Sequence, residues 1–127
     1  MATATVQGLQ IEYNVVGNSG RPWAITPGGR FSKDSPGIRD LAEALAQRGN
    51  QVLIWDRPNC GASDVCFTGA SESEMQADVL IELLDHIGMA PTVIMGGSGG
   101  ARVSWLAAAR HADKPAGVAM LNMSGGV

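Results

Sequence analysis

The run Gly96-Gly97-Ser98-Gly99-Gly100 sets one serine between two pairs of glycines, a G-x-S-x-G pattern. A serine so placed can attack an acyl carbon if it sits in a tight strand-to-helix turn, where neighbouring positions must be nearly free of side chain for strand and helix to meet. The first N–H groups of the following helix then face the oxygen that becomes negative during attack. The flanks agree with this demand: Thr92-Val93-Ile94-Met95 is an apolar strand candidate, and an alanine-rich helix is expected over 99–111. Glycine-rich turns of this kind also bind phosphates. No Gly-Lys-Ser/Thr follows, which removes a Walker loop, and the spacing and acidic residue of a dinucleotide fingerprint are poorly met.

A serine hydroxyl needs a base within hydrogen-bond reach and an acid to orient that base. The chain has two histidines, His86 and His111, each near the end of an expected helix, where an imidazolium interacts favourably with the helix C-terminus. Both read as helix-end residues and not as bases. Cys60 and Cys66 share one loop without a suitably spaced histidine or further cysteine, so neither a metal site nor a disulfide framework is expected, and no cofactor is called for.

The elements that must carry the serine can be read from changes of period. Two β-branched segments, 3–7 and 9–16, separated by Gly8, read as a hairpin, and Trp23-Ala24-Ile25-Thr26 as a buried strand ending at Pro27-Gly28-Gly29. From Ser35, taken as an N-cap with Pro36 in the first turn, Ile38, Leu41, Ala42 and Leu45 recur at helical spacing until Gly49. A second strand is expected over 51–55, then a Gly/Pro/Asn/Ser-rich loop over 56–70. Ser71 and Glu74 form a possible capping box for a helix burying Met75, Val79, Leu80, Leu83, Leu84 and Ile87, with Gly88 as its terminator. The strand at 92–95, the helix at 99–111 and a last strand at 117–121 complete the series. A hairpin followed by alternating strands and helices predicts an α/β domain with a mostly parallel sheet flanked by helices.

With 127 residues there is room for one domain, 45% hydrophobic and 17% charged, in the globular range. A formal net charge of −3 without a basic block argues against nucleic acid as a partner. The start lacks a basic stretch followed by an apolar core, and no run approaches the roughly 18 apolar residues of a spanning helix. A soluble cytoplasmic protein with no membrane partner is therefore expected.

Three separated motifs together resemble the N-terminal part of the α/β-hydrolase fold family, across nearly the whole chain. Pro27-Gly28-Gly29-Arg30 stands where that family has a His-Gly turn whose next residue donates a backbone N–H to the oxyanion hole. The resemblance implies Gly29 as that donor, with Arg30 as neighbour or substitute; Pro27 replaces the usual histidine but leaves the backbone donor available. Asp56-Arg57-Pro58-Asn59-Cys60-Gly61-Ala62-Ser63 is similar to the family's Asp-Arg-Pro-Gly-x-Gly-x-Ser, with Asn59 at a glycine position that asparagine can fill in a left-handed conformation. Asp56 and Arg57 are expected to organise this loop, not to do chemistry. The third motif makes Ser98 the nucleophile and the Gly99 N–H the second oxyanion donor.

The same resemblance puts the triad acid and histidine after later strands that this sequence does not contain, so residues 1–127 are expected to be the N-terminal part of a core domain. The last strand would leave an apolar edge. The expected partner is a second polypeptide, the remainder of one precursor cut after Val127, bringing lid, closing strands, Asp or Glu, and His. The leading function is hydrolysis of an ester or other acyl bond, a carbon–carbon bond next to a ketone included, in a small-molecule substrate. Acyl transfer, a catalytically silent ligand receptor on the same fold, and a truncated chain without biology of its own are the alternatives.

Overall fold

A computed structural model describes residues 2–28, 31–66, 71–89, 91–97, 99–113 and 115–121, with residues 120 and 121 described by their backbone alone. The chain opens with strands β1 (Ala2–Val6) and β2 (Leu9–Val16), paired antiparallel with Val6 opposite Leu9. The expected hairpin is present, and its two-residue turn has positive φ at both Gln7 (52°) and Gly8 (77°), matching the right-handed twist of the strands.

Strand β3 (Arg21–Thr26) leads through helix α1 (Ile38–Gln47) to β4 (Asn50–Trp55). Helix α2 (Glu72–Ile87), strand β5 (Thr92–Gly97), helix α3 (Gly99–Arg110) and strand β6 (Pro115–Leu121) follow. The six strands form one sheet in the order β1-β2-β4-β3-β5-β6, with β4, β3, β5 and β6 mutually parallel. The α/β architecture with a mostly parallel sheet and an N-terminal antiparallel hairpin is as the alternation of elements predicts.

Both faces of the sheet are covered, which explains the continuous apolar run of β4. Val52 and Ile54 pack with Ile25 and Ala42 on the α1 side, while Leu53 and Trp55 face the larger core made by α2 and α3. That second core contains Val79, Leu80, Leu83, Ile94, Val103 and Ala107, all at 0–1% exposure, and each large aliphatic side chain removed from water there contributes about 1.5–3 kcal/mol.

The start of α1 departs from expectation. Ser35 is not its N-cap: the helix begins at Ile38 behind Gly37, whose φ of 90° breaks the helical path, and no side chain caps it. The Ser35 hydroxyl instead accepts the Ser32 N–H at 3.0 Å, making a local turn that competes with helix formation. At α2 the cap is as read: Ser71 is extended, its hydroxyl accepts the Glu74 N–H at 3.1 Å, and Gly88 closes the helix in the left-handed conformation.

Candidate active site

The order of strands singles out one place. From β3 the chain crosses by α1 over one face to β4, and from β5 it crosses by α3 over the other face to β6, so β3 and β5 are neighbours whose connections diverge. In open α/β sheets the crevice beyond the carboxyl ends of two such strands is where ligands bind. Here Thr26 of β3 pairs with Gly96 of β5, so Pro27 and Gly28 leave the sheet beside Gly97.

Gly96 and Gly100 hold this junction together by what they lack. A Cβ on Gly96 would lie 2.4 Å from the Gly100 carbonyl oxygen, and one on Gly100 would lie 2.1 Å from the Thr26 oxygen and 3.0 Å from that of Pro27. These obstacles are backbone atoms that cannot rotate away. Strand β5, helix α3 and the exit of β3 therefore meet at a distance open only to glycine. One residue, number 98, intervenes between the end of β5 and the start of α3. Ser98 itself, and Gly29 and Arg30 of the β3 exit, lie outside the described residues; Gly99 is the first residue of α3. A turn closed by the Phe31 N–H on the Gly28 carbonyl (3.1 Å) follows the exit of β3. Beside it a cavity of about 200 Å³ is lined by Ile25, Pro27, Gly28, Leu41, Met95 and Gly97. That is below the roughly 300–1,000 Å³ of small-molecule sites, so a full pocket needs further walls.

The Asp56 loop is a scaffold, as its composition suggests. Asp56 is 1% exposed, and its two carboxylate oxygens accept the backbone N–H groups of Lys33 (2.7 Å) and Ala62 (3.0 Å). Gly61, with φ 54°, must be glycine because a Cβ would sit 2.3 Å from that carboxylate. Ser63 donates to the Asp56 carbonyl at 2.6 Å and accepts the Glu12 N–H at 2.9 Å, tying the loop to β2. Asn59 takes the left-handed conformation anticipated for it (φ 75°), and its amide bonds the backbone of Cys66 in both directions at 2.8 Å. Cys60 is buried, and both cysteines are free thiols.

Sequence reasoning missed Lys33. In a polar loop a lysine reads as a solvated residue, yet this one is 1% exposed, with its Nζ 2.7 Å from Asp34 and 3.1 Å from Glu12. Burial works against its charged form, but the hydrogen bonds to Asp34 and Glu12 and the charge of Asp56 together lift it above the ordinary lysine value. Hydrogen bonds from Arg39 and then Lys33 hold the Asp34 carboxyl below its ordinary value.

Neither histidine reaches the junction. His86 is exposed in the last turn of α2, and His111 follows α3, whose twelve residues span about 18 Å from the junction. The Nε2 of His111 lies 2.7 Å from Asp78 of α2, which also accepts two 3.0 Å bonds from Arg110. The Arg110 guanidinium first, and His111 after it, hold the Asp78 carboxyl below its ordinary value. This cluster clasps the first half of α2 to the C-terminal end of α3.

With this geometry in view, the comparisons with known proteins agree. The family model described as alpha/beta hydrolase fold matches residues 26–126. The chain belongs to the α/β-hydrolase fold family. Among solved structures, it is similar to the enol-lactonase from Burkholderia xenovorans LB400 at 25% identity and a TM-score of 0.81, covering 97% of this chain and 47% of that one. It is similar to the epoxide hydrolase CorEH at 25% identity and a TM-score of 0.86, covering 96% and 41%. A thermophilic esterase from Thermogutta terrifontis shares the fold at 23% identity and a TM-score of 0.83, covering 97% and 45%. The chain thus spans less than half the length of these structures and carries half of an α/β-hydrolase fold. No curated protein matches the sequence. Among the described residues, no helix is long and apolar enough to cross a membrane, and no three His, Cys, Asp or Glu side chains gather as a metal site.

Proposed function

We propose that the protein built on this chain hydrolyses an ester or another acyl bond, a carbon–carbon bond next to a ketone included, through an acyl-enzyme on Ser98. The observation that carries this reading is the glycine-only junction, where Gly96 and Gly100 leave no room for a Cβ on either side of position 98. Such crowding has a reason if a nucleophile must be held at the apex of a tight turn. Ser98 Oγ attacks the carbonyl carbon while its proton passes to a histidine, and the oxygen that gains the negative charge accepts the N–H groups of Gly29 and Gly99, with Arg30 as neighbour or substitute. The leaving group departs with the proton. Water then attacks the acyl carbon, releases the acid and restores the serine.

His111 is engaged by Asp78 and His86 lies exposed in the last turn of α2, so on this reading the base and its acid belong to a second polypeptide, the remainder of one precursor. On this reading residues 1–127 are the N-terminal part of the core domain, and the partner brings lid, late strands, an Asp or Glu and the His. The substrate is a small molecule, and the protein works in the cytoplasm without nucleic acid or membrane.

The test is labelling of the native protein with a fluorophosphonate. Stoichiometric labelling that disappears in Ser98→Ala is the expected result; an assembled protein that resists the reagent would instead be a ligand receptor on a hydrolase fold. Intact-mass analysis of the same preparation is expected to find the second polypeptide. This chain alone, monomeric and active, would overturn the two-chain part of the proposal.

A further inference from the structure

The connection from β3 to α1 is fastened at two points. At its start, the carbonyls of Thr26 and Pro27 lie against Gly100 at the first turn of α3. Near its middle, the Lys33 N–H donates to the buried Asp56 carboxylate, and the Lys33 ammonium lies between Glu12 of β2 and Asp34. Asp34 passes the contact on to Arg39 of α1 at 2.6 Å, and Arg39 also donates to Asn14 of β2 at 3.2 Å. Lys33 thus ties the connection to β2 through its ammonium and to the β4 loop through its backbone N–H, and Asp34 carries the contact to α1.

Taking an ammonium out of water costs several kcal/mol unless close partners compensate, and truncating one member of such a pair leaves the others buried and unmatched. Glu12, with a side chain only 15% exposed, is the partner that would suffer most. A lysine at this place would be better hydrated pointing outward, and nothing in acyl chemistry requires its amine there. What its burial does achieve is mechanical. Gly28 and Phe31, joined by a backbone hydrogen bond, lie along the chain between the contact with Gly100 and the anchor at Lys33.

We propose that Lys33 is a positioning residue: its ammonium, held by Glu12, fixes the connection that follows Pro27 and Gly28 and so sets the β3 exit against Gly96 and Gly100, on which the oxyanion hole of the proposed reaction depends. The catalytic consequence rests on the hydrolase reading above; the anchoring does not. A misplacement of about 1 Å in such a site costs on the order of 100-fold in rate.

The experiment compares wild type, Lys33→Met, Lys33→Arg and Glu12→Gln in the assembled protein. With p-nitrophenyl butyrate as probe, Lys33→Met is expected to lose on the order of 100-fold in kcat with KM within about twofold, and Lys33→Arg to recover part of the loss. Hydrogen exchange of the segment 31–37 is expected to speed at least about tenfold in Lys33→Met while α2 keeps its protection. If Lys33→Met does not fold, Glu12→Gln carries the same two readings with smaller changes. A folded variant with wild-type kcat and wild-type exchange overturns the proposal. Should wild type fail to turn over the ester, the hydrolase reading falls and exchange alone judges Lys33, with unchanged exchange at 31–37 counting against it.

Discussion

The β5–α3 junction and the Asp56 loop both carry glycine at the carboxyl ends of parallel strands, one spanning a single residue and the other running from Trp55 to Glu72, and they are built on opposite plans. Around Gly96 and Gly100 the space a Cβ would need is taken by the backbone oxygens of Gly100, Thr26 and Pro27. Around Asp56 space is filled: a buried carboxylate accepts backbone N–H groups on both oxygens, and Ser63 and Asn59 tie further backbone of the loop. The lesson concerns where chemistry can happen. A carboxylate whose two oxygens both accept backbone N–H groups is a structural tie, whereas glycines on both sides of position 98 let strand and helix close on it.

The sharpest way to break this contrast is Gly100→Ala. Its methyl group would press on the carbonyls of Thr26 and Pro27, and we expect about 3 kcal/mol of lost stability and at least about 100-fold slower fluorophosphonate labelling. Labelling at the wild-type rate would mean that the junction does not shape the nucleophile.

Asp56→Ala comes next. It strands the Lys33 and Ala62 N–H groups, and the expected cost is about 2–4 kcal/mol in urea unfolding, at Asp56 more through stability than through the reacting atoms. Labelling corrected for folded fraction should fall less than for Gly100→Ala, because the Lys33 ammonium still holds Glu12. Equal losses would erase the distinction between the two regions.

Smaller still is Ser71→Ala at the head of α2, away from both regions. Loss of its bond to the Glu74 N–H should lower stability by about 1 kcal/mol in thermal or chemical melts, with labelling unchanged. The smallest effect concerns acid. Because Asp78 is held below its ordinary value of 3.8, its ion pairs stabilise the fold fully above that pH and lose the contribution as pH falls through the lowered value. Asp78→Asn should therefore narrow the difference between urea midpoints at about pH 6 and about pH 3, the pair's partial exposure keeping the change modest. Midpoints that shift equally in both proteins would count against the clasp.

Much of this was legible residue by residue. The hairpin was marked by β-branched segments around Gly8, α2 by Ser71 and Gly88, and the left-handed bend at Asn59 by a residue that tolerates it. These signals are local: a cap, a turn or a period is set by neighbours within about four positions. The same locality explains the error at Ser35, where a serine before a proline looks like a cap but serves a turn with Ser32, and Gly37 delays the helix.

The amino-acid order, then, was sufficient for the kinds and succession of elements and for marking Ser98 as the residue to suspect, since periodicity and glycine spacing act over short stretches of chain. Only the folded chain could decide that β3 lies between β4 and β5, that Thr26 and Pro27 press on Gly100, and that buried Lys33 meets Glu12 with its ammonium and Asp56 with its backbone N–H. Those contacts join residues 21 to 74 positions apart. Their energies depend on which backbone atoms and charges are brought together and shielded from water, and no local pattern records that.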